Sequence, residues 1–399
     1  MTSKCDVCSS PLKNAFNFSN SPYGDNFYRN RDSALKAKKY PLSLLMCEKC
    51  MFLTLNQKID PEFTAESFLY TTNITSGLIE SYEVLAKELI NKYKIESVLD
   101  IGSNDGSFLE IFSKKGIKTL GVEPAKYACK KANNKNIQTI QSFFNKEIAL
   151  DISNSQQYDL VSANYMFANV SDINKFLENV CLVLSKSGKL LITTGYHPEQ
   201  FKKGMLDYIY HEHFHYFTVK SMNSLLLKHQ FYLEDIIPIP NKISSLCFIA
   251  NREITNKNKE INNKVKIYIE NEYKNKLDHK KTILEFKENY DSELERIKIL
   301  LKSHKKEGKK ILGFGASLST SIFLNEKNIG KYIDEIIDDN KVKWDSYCPS
   351  WGIKVTDPNS RICENNLVIV ILAWQHSNAI YKKYSSKFKD AIWIIPFKS

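Results

Sequence analysis

The rhythm of apolar and polar positions changes several times along this chain of 399 residues. From about residue 62 to 95 the stretches Ile79-Glu80-Ser81-Tyr82 and Leu85-Ala86-Lys87-Glu88 predict a helical lead-in. Short apolar runs at 97–101, 119–122, 160–163 and 190–193 then predict strands, with helical patterns between them. Strands alternating with helices argue for a mostly parallel, doubly wound sheet. A polar, helix-rich connector follows from about 252 to 308. Beyond it a second β/α set opens with Lys310-Ile311-Leu312-Gly313-Phe314-Gly315 and continues through 335–337 and Leu367-Val368-Ile369-Val370-Ile371-Leu372. The expected fold class is α/β, with two lobes in tandem behind a small N-terminal module. The predicted boundaries are 1–61, 62–251 and 252–399. No solenoid repeat is visible.

Length alone implies two or three domains, and 43% hydrophobic with 25% charged residues is a soluble globular composition. No apolar run approaches the roughly 20 residues that span a bilayer, so no membrane insertion is expected. The first eleven residues lack the apolar core of a leader peptide. Nine cysteines without a small disulfide-rich scaffold point to a reducing compartment, and the cytoplasm is the expected location. The net charge of +11 invites a polyanion as partner. However, Glu260, Glu270, Glu272, Glu285 and Glu288 are interleaved with the lysines of the connector, as on a solvated helical face. No aromatic-basic platform for stacked bases is evident. Nucleic acid is therefore not the expected partner, although a zinc-and-lysine nucleic-acid-binding protein stands as the alternative of another class. The pattern is silent on oligomeric state.

Cys5-Asp-Val-Cys8 and Cys47-Glu-Lys-Cys50 are two thiolate pairs, each with two intervening residues. Cys5, Cys8, Cys47 and Cys50 can surround one Zn²⁺ tetrahedrally. Four thiolates leave no position for water, so the zinc is expected to be structural. A module this small has little core, and metal binding supplies folding energy.

The run Val98-Leu99-Asp100-Ile101-Gly102-Ser103-Asn104-Asp105-Gly106 is a strand followed by a tight glycine turn. Gly102 and Gly106 lack the Cβ that would block a ligand from the backbone, and the helix starting near Ser107 aims its N-terminus into the same crevice. Glu123, ending the second strand, is placed to accept hydrogen bonds from ribose hydroxyls. The glycine turn and the acid also fit NAD, but the spacing is not the dinucleotide Gly-x-Gly-x-x-Gly. The run looks like the S-adenosylmethionine (SAM) loop of a class I Rossmann-type methyltransferase, and Asp159-Leu160-Val161-Ser162-Ala163-Asn164 looks like the fourth strand of that fold.

Tyr210-His211-Glu212-His213-Phe214-His215-Tyr216-Phe217 holds three histidines at alternate positions. On a strand they would share one face and could bind a metal. One could instead be a general base, or all three could be hydrogen-bonded loop residues. The residues by themselves leave these readings open.

Taken in order, these segments resemble the zinc-containing sugar C-methyltransferases, over almost the whole length. The resemblance rests on the two Cys-x-x-Cys pairs, Tyr40-Pro41-Leu42-Ser43-Leu44, the Leu99–Gly106 loop, Tyr210-His211-Glu212-His213, Gly313-Phe314-Gly315-Ala316-Ser317 and Ala373-Trp374. It implies a SAM-binding methyltransferase domain, and a second Rossmann-like C-terminal lobe that closes over a nucleotide-sugar. It also implies methyl transfer to a carbon of a nucleotide-linked ketosugar through an enolate. The same resemblance makes His213 the general base, with Tyr210, Glu212 and His211 around it. The candidate cofactor set is Tyr70, Ser76, Asp100, Gly102, Asn104, Asp105, Gly106, Glu123, Phe143 and Asn164. The candidate substrate set is Asn169, Tyr216, Gly315, Ala316 and Ser317.

Three segments depart from that family's pattern. Asn169 stands where members often carry a second cleft histidine, and an amide cannot shuttle a proton at neutral pH. A glycine pair is replaced in Lys242-Ile243-Ser244-Ser245-Leu246, and a Lys-Gly in Leu318-Ser319-Thr320-Ser321. O-methylation of a related nucleotide-sugar is the runner-up reading.

Overall fold

The computed structural model describes residues 3–24, 26–59, 71–72, 77–240, 242, 244–252 and 261–397. Among the described residues the strands run in chain order as β1 (Leu12–Pro22), β2 (Lys39–Cys47), β3 (Leu53–Leu55), β4 (Ser97–Ile101), β5 (Lys118–Val122), β6 (Thr139–Ile140), β7 (Tyr158–Asn164), β8 (Leu184–Gly195), β9 (His215–Tyr216), β10 (Tyr232–Pro238), β11 (Ser245–Asn251), β12 (Lys310–Phe314), β13 (Glu335–Ile337), β14 (Tyr347–Cys348), β15 (Ile353–Thr356), β16 (Leu367–Ile371) and β17 (Ile392–Ile394). They form three sheets.

The central sheet has the order β10-β11-β8-β7-β4-β5-β6. Strands β8 to β6 in that order are parallel, and β11 and β10 add an antiparallel edge. All five residues of β4 are buried, as expected for a strand covered by helices on both faces. The C-terminal sheet has the order β14-β15-β13-β12-β16-β17 and is parallel apart from the β14 hairpin. The two α/β lobes are thus as the alternating pattern predicts.

The N-terminal sheet has the order β1-β2-β3-β9, so its fourth strand comes from the histidine segment, far along the chain. Along β2, Leu42, Leu44 and Met46 are buried and alternate with more exposed residues, the period-two pattern of a one-faced sheet. Their apolar face joins Phe16, Phe18, Phe214 and Tyr216 in one core with the C-terminal lobe. Cys5, Cys47, Cys50 and Phe52 instead join the core of the central sheet. The small module is a wedge between the two lobes.

The connector forms helices Asn263–Lys274 and Lys280–Lys306. Ile283, Tyr290, Leu294, Ile297 and Leu301 make one buried stripe on the long helix, and Lys281, Glu288, Lys302 and Lys306 face outward. Glu272 anchors the shorter helix. Its buried carboxylate accepts Val219 N–H at 2.6 Å, Lys220 N–H at 3.2 Å and Tyr196 O–H at 3.0 Å, capping the helix Val219–Lys228. No described helix is long and apolar enough to cross a membrane.

Candidate active site

The crevice at the carboxyl end of β4 is held open by backbone conformation. Gly102 and Gly106 have φ of +71° and +73°, and Asn104 joins them at +50°. A Cβ on Gly102 would stand 2.7 Å from Met166 Cγ, so glycine is required by the residue approaching from the end of β7. The Asn104 side-chain oxygen accepts Thr72 N–H and Asp105 N–H, each at 2.9 Å. At the end of β5, Glu123 takes Asn104 N–H on one carboxylate oxygen and Ala125 N–H on the other, both at 2.8 Å. Burial pushes the Glu123 carboxyl upward, and these two donors oppose the shift. Each oxygen keeps a lone pair for a ribose hydroxyl.

Beneath the loop, Asp100 accepts from Ser162 Oγ at 2.6 Å and Asn164 Nδ2 at 3.2 Å, and Asn164 Oδ1 accepts from Thr193 Oγ1 at 2.9 Å. Side chains therefore tie together the ends of β4, β7 and β8. Burial pushes Asp100 up to about 7. Asp105 turns inward, where its Oδ1 accepts the Ser107 hydroxyl at 2.6 Å at the start of helix Ser107–Ser113. Phe143 is half-buried in the turn after β6. Tyr70 and Ser76 lie outside the described residues. A glycine-held loop, a buried acid with free lone pairs and a helix N-terminus together fit SAM.

The four N-terminal cysteines converge. Their sulfurs all lie within 4.8 Å of one another. Cys5 and Cys50 are 3.6 Å apart and Cys8 and Cys47 3.4 Å apart, too long for a disulfide. Those separations are near the edge of about 3.8 Å that a tetrahedron of zinc–sulfur bonds has. The donor set fits one structural Zn²⁺.

The three histidines do not converge. His211 is buried and its Nε2 faces the Tyr40 and Pro41 carbonyls at 3.3 and 3.2 Å. Both carbonyls only accept, so Nε2 carries the proton and ties the segment to β2. His215 is also structural: Nδ1 meets Thr54 Oγ1 at 3.2 Å, Nε2 meets the Val170 carbonyl at 2.9 Å, and the ring stacks on Phe52. The only group of metal-ligand side chains among the described residues is the cysteine set.

His213 differs from both. Its Nε2 is 2.9 Å from the Tyr210 hydroxyl, and the two rings lie 4.1 Å apart. With the ring proton on Nδ1, where the Tyr208 carbonyl offers an acceptor, the Tyr210 hydroxyl donates to Nε2. Burial lowers the imidazole to about 4, which keeps it neutral. Asn169 ends the turn Phe167–Asn169 alongside this segment, since Phe214 N–H donates to the Ala168 carbonyl at 2.7 Å and His215 reaches Val170. The Asn169 Oδ1 is buried without a partner among the described residues. Tyr216 is buried in the shared core, its hydroxyl 3.5 Å from the Tyr208 carbonyl.

In the C-terminal lobe Gly315 has φ of +113°, and a Cβ there would stand 2.5 Å from that of Ala373. Ala316 N–H donates to Asp338 Oδ2 at 2.6 Å. Ser317 caps the helix Leu318–Asn325 in a capping box with Thr320. This turn repeats the first crevice in outline, with Asp338 in the place of Glu123.

Sequence reasoning missed Thr72 and Asp207, and it placed Glu272 on a solvated helical face, whereas the structure buries that carboxylate against Tyr196 and the start of helix Val219–Lys228. Asp207 accepts from Trp374 Nε1 at 3.0 Å and Gln375 Nε2 at 3.2 Å, joining the central domain to the C-terminal lobe. The available signal was a lone acid inside Met205-Leu206-Asp207-Tyr208-Ile209.

A glycine-turn crevice with a strand-end acid, on a largely parallel sheet, defines the fold of a SAM-dependent methyltransferase. Three family models match in succession: a zinc binding domain at residues 5–64, a methyltransferase domain at 70–236, and a C-methyltransferase C-terminal domain at 244–397. The three matches follow one another along the chain, which is a SAM-dependent methyltransferase with a zinc-binding module ahead of the methyltransferase domain and a C-methyltransferase C-terminal domain behind it. The C-methyltransferase NovU of Streptomyces niveus is 24% identical over 383 residues, covering 94% of this chain and 91% of that protein. Solved structures similar to part of the chain include a SAM-dependent methyltransferase from Aquifex aeolicus (18% identity, 48% of this chain and 98% of that one, TM-score 0.37). Another, from Archaeoglobus fulgidus, has 17% identity over 43% of this chain and 93% of that one, with a TM-score of 0.35.

Proposed function

We propose that the enzyme methylates a carbon of a nucleotide-activated ketosugar through an enolate, with His213 as general base. The observation that carries this reading is the His213 imidazole, kept neutral by burial, with its Nε2 2.9 Å from the Tyr210 hydroxyl in the segment that runs alongside the Phe167–Asn169 turn. SAM, when bound, supplies an electrophilic methyl group.

The chain's own residues make and hold the nucleophile. His213 Nε2 takes the proton α to the ketone once the Tyr210 hydroxyl turns from the imidazole to the substrate. The C–H electron pair becomes the enolate double bond, and the carbonyl pair moves onto oxygen. Asn169 accepts a sugar hydroxyl on its Oδ1. His211 and His215 fix the two ends of the segment, so the base is held by backbone anchors on either side. The Gly315–Ser317 turn and its helix N-terminus cover the nucleotide. Residues 1–61, 62–251 and 252–399 serve as zinc module, SAM domain and substrate lobe.

The test is deuterium exchange in D₂O, followed by NMR, on nucleotide-linked 4-ketosugars with S-adenosylhomocysteine (SAH) in place of SAM. Enzyme-dependent loss of one α-proton signal is the expected result. A ketosugar that binds yet never exchanges would remove the enolate from the mechanism.

A further inference from the structure

One cation near the crevice has no role in the reading above. Lys242 stands at the apex of the loop between β10 and β11. That loop is fixed from behind: the Pro240 carbonyl accepts the Ser81 hydroxyl, the Ser244 carbonyl accepts Tyr196 N–H at 2.7 Å, and the Ser244 hydroxyl meets the Lys203 ammonium at 3.0 Å. Ser245 pairs with Gly195, the last residue of β8. The apex therefore lies at the carboxyl ends of the parallel strands, where open α/β sheets bind their ligands.

Two contacts place the ammonium group. It lies 5.8 Å from the ring centroid of Tyr165, which directly follows Asn164 of the Asp100 network. From the other lobe comes His376, whose imidazole is held below its ordinary range by desolvation and then by the charge of Lys242. The position of His376 follows from its neighbours Trp374 and Gln375, both bonded to Asp207. Lys242 thus stands where the central sheet and the C-terminal lobe meet.

The Lys242 side chain is half-buried, and no carboxylate or hydrogen-bond acceptor among the described residues meets its ammonium. By contrast, Lys92 and Lys264 share Asp235, and Lys189 holds Glu234. Burial alone lowers the Lys242 ammonium, with no counter-charge to restore it. A desolvated cation without a partner is unfavourable unless a ligand brings the anion.

We propose that Lys242 binds an anionic oxygen of the substrate in the crevice between the two lobes. This rests on the ketosugar reading. Such a substrate offers that oxygen in two places, on the phosphoryl groups of the nucleotide and on the enolate formed when the α-proton moves to the base. In either case the ammonium donates a charge-assisted hydrogen bond and keeps its proton.

Lys242→Met and Lys242→Arg, compared with the unaltered enzyme, separate the two. Calorimetry measures binding of SAH, of the nucleotide-ketosugar and of the bare nucleoside diphosphate, and NMR measures α-proton exchange with SAH bound. The Met variant is expected to bind SAH as the unaltered enzyme does, which also reports an intact fold. A phosphoryl contact lowers affinity for the nucleotide-ketosugar and the nucleoside diphosphate at least tenfold in the Met variant, and Arg restores it. An enolate contact leaves binding within threefold and slows exchange at saturation at least tenfold. Unchanged binding and exchange overturn the proposal, and so does loss of SAH affinity, which would assign Lys242 to the cofactor carboxylate. Failure of the unaltered enzyme to exchange any bound ketosugar removes the ketosugar reading alone, and the nucleoside diphosphate then decides for Lys242. An enzyme that binds neither nucleotide removes both.

Discussion

The Trp374 indole donates its Nε1–H to Asp207 Oδ2 at 3.0 Å, and through that bond the C-terminal lobe is fastened to the segment preceding the histidines. Burial pushes the Asp207 carboxyl up to about 7, against about 4 in an unfolded chain. Between those values the folded protein holds a proton that the unfolded chain releases. The stabilising contribution is therefore full below about pH 4 and is lost as the pH rises through about 7. Asp207→Asn keeps an acceptor for the indole and cannot titrate. Its Tm relative to the unaltered protein should rise between pH 5 and pH 8 in scanning fluorimetry. The same offset at both pH values would contradict this.

His213→Gln should lower turnover about 10²-fold or more, the range for loss of a general base. Its affinity for SAH should stay within twofold, because the partners of His213, Tyr210 and Tyr208, lie outside the cofactor loop. His215→Ala should do the reverse. It removes the bonds to Thr54 and the Val170 carbonyl, so Tm falls and turnover per folded molecule falls less. Steady-state kinetics with parallel melting curves distinguishes the two. Equal effects on Tm and turnover in both variants would dissolve the distinction between base and anchor.

Glu123→Ala should weaken SAM binding about tenfold or more, consistent with about 1.5–3 kcal/mol for a hydrogen bond to a charged group. Glu123→Gln should lie between the two. Isothermal titration is the measurement. An unaltered Kd would mean that the ribose is held elsewhere.

Cys47→Ser should abolish one equivalent of zinc per chain in elemental analysis and lower Tm, since metal-binding energy here is folding energy. Turnover should fall with it, because β3 pairs with β9 in the histidine segment. SAH affinity should change little, as Asn104 and Glu123 follow β4 and β5 of the central sheet and bond to each other. Retained zinc would shift the metal site away from Cys47.

The parts legible in the sequence were those with a local signature. Strands such as Ser97–Ile101 announce themselves as buried apolar runs, and Cys5, Cys8, Cys47 and Cys50 by their spacing. Gly102 and Glu123 are legible because a tight turn and a strand-end acid belong to one β/α unit. The histidines were not resolved, because alternate spacing implies a shared face only on a strand, and just His215 and Tyr216 are in one. The antiparallel edge β10-β11 carries no cue that separates it from a further parallel strand. Asp207 with Trp374, and Glu272 with Val219, are pairs made by tertiary packing. Nothing local in either partner names the other.

The strand His215–Tyr216 has a consequence for how the protein is made. A ribosome delivers all four cysteines early, and a metal ion can gather them while most of the chain is still unsynthesised. The sheet beside them then waits for its last strand until the cofactor loop and the strands around it have emerged. Release of the growing chain before that point leaves an exposed edge at β3, open to another nascent copy. Only when the histidine segment arrives is that edge sealed, so the strand that closes the N-terminal sheet also fixes the segment that carries His213.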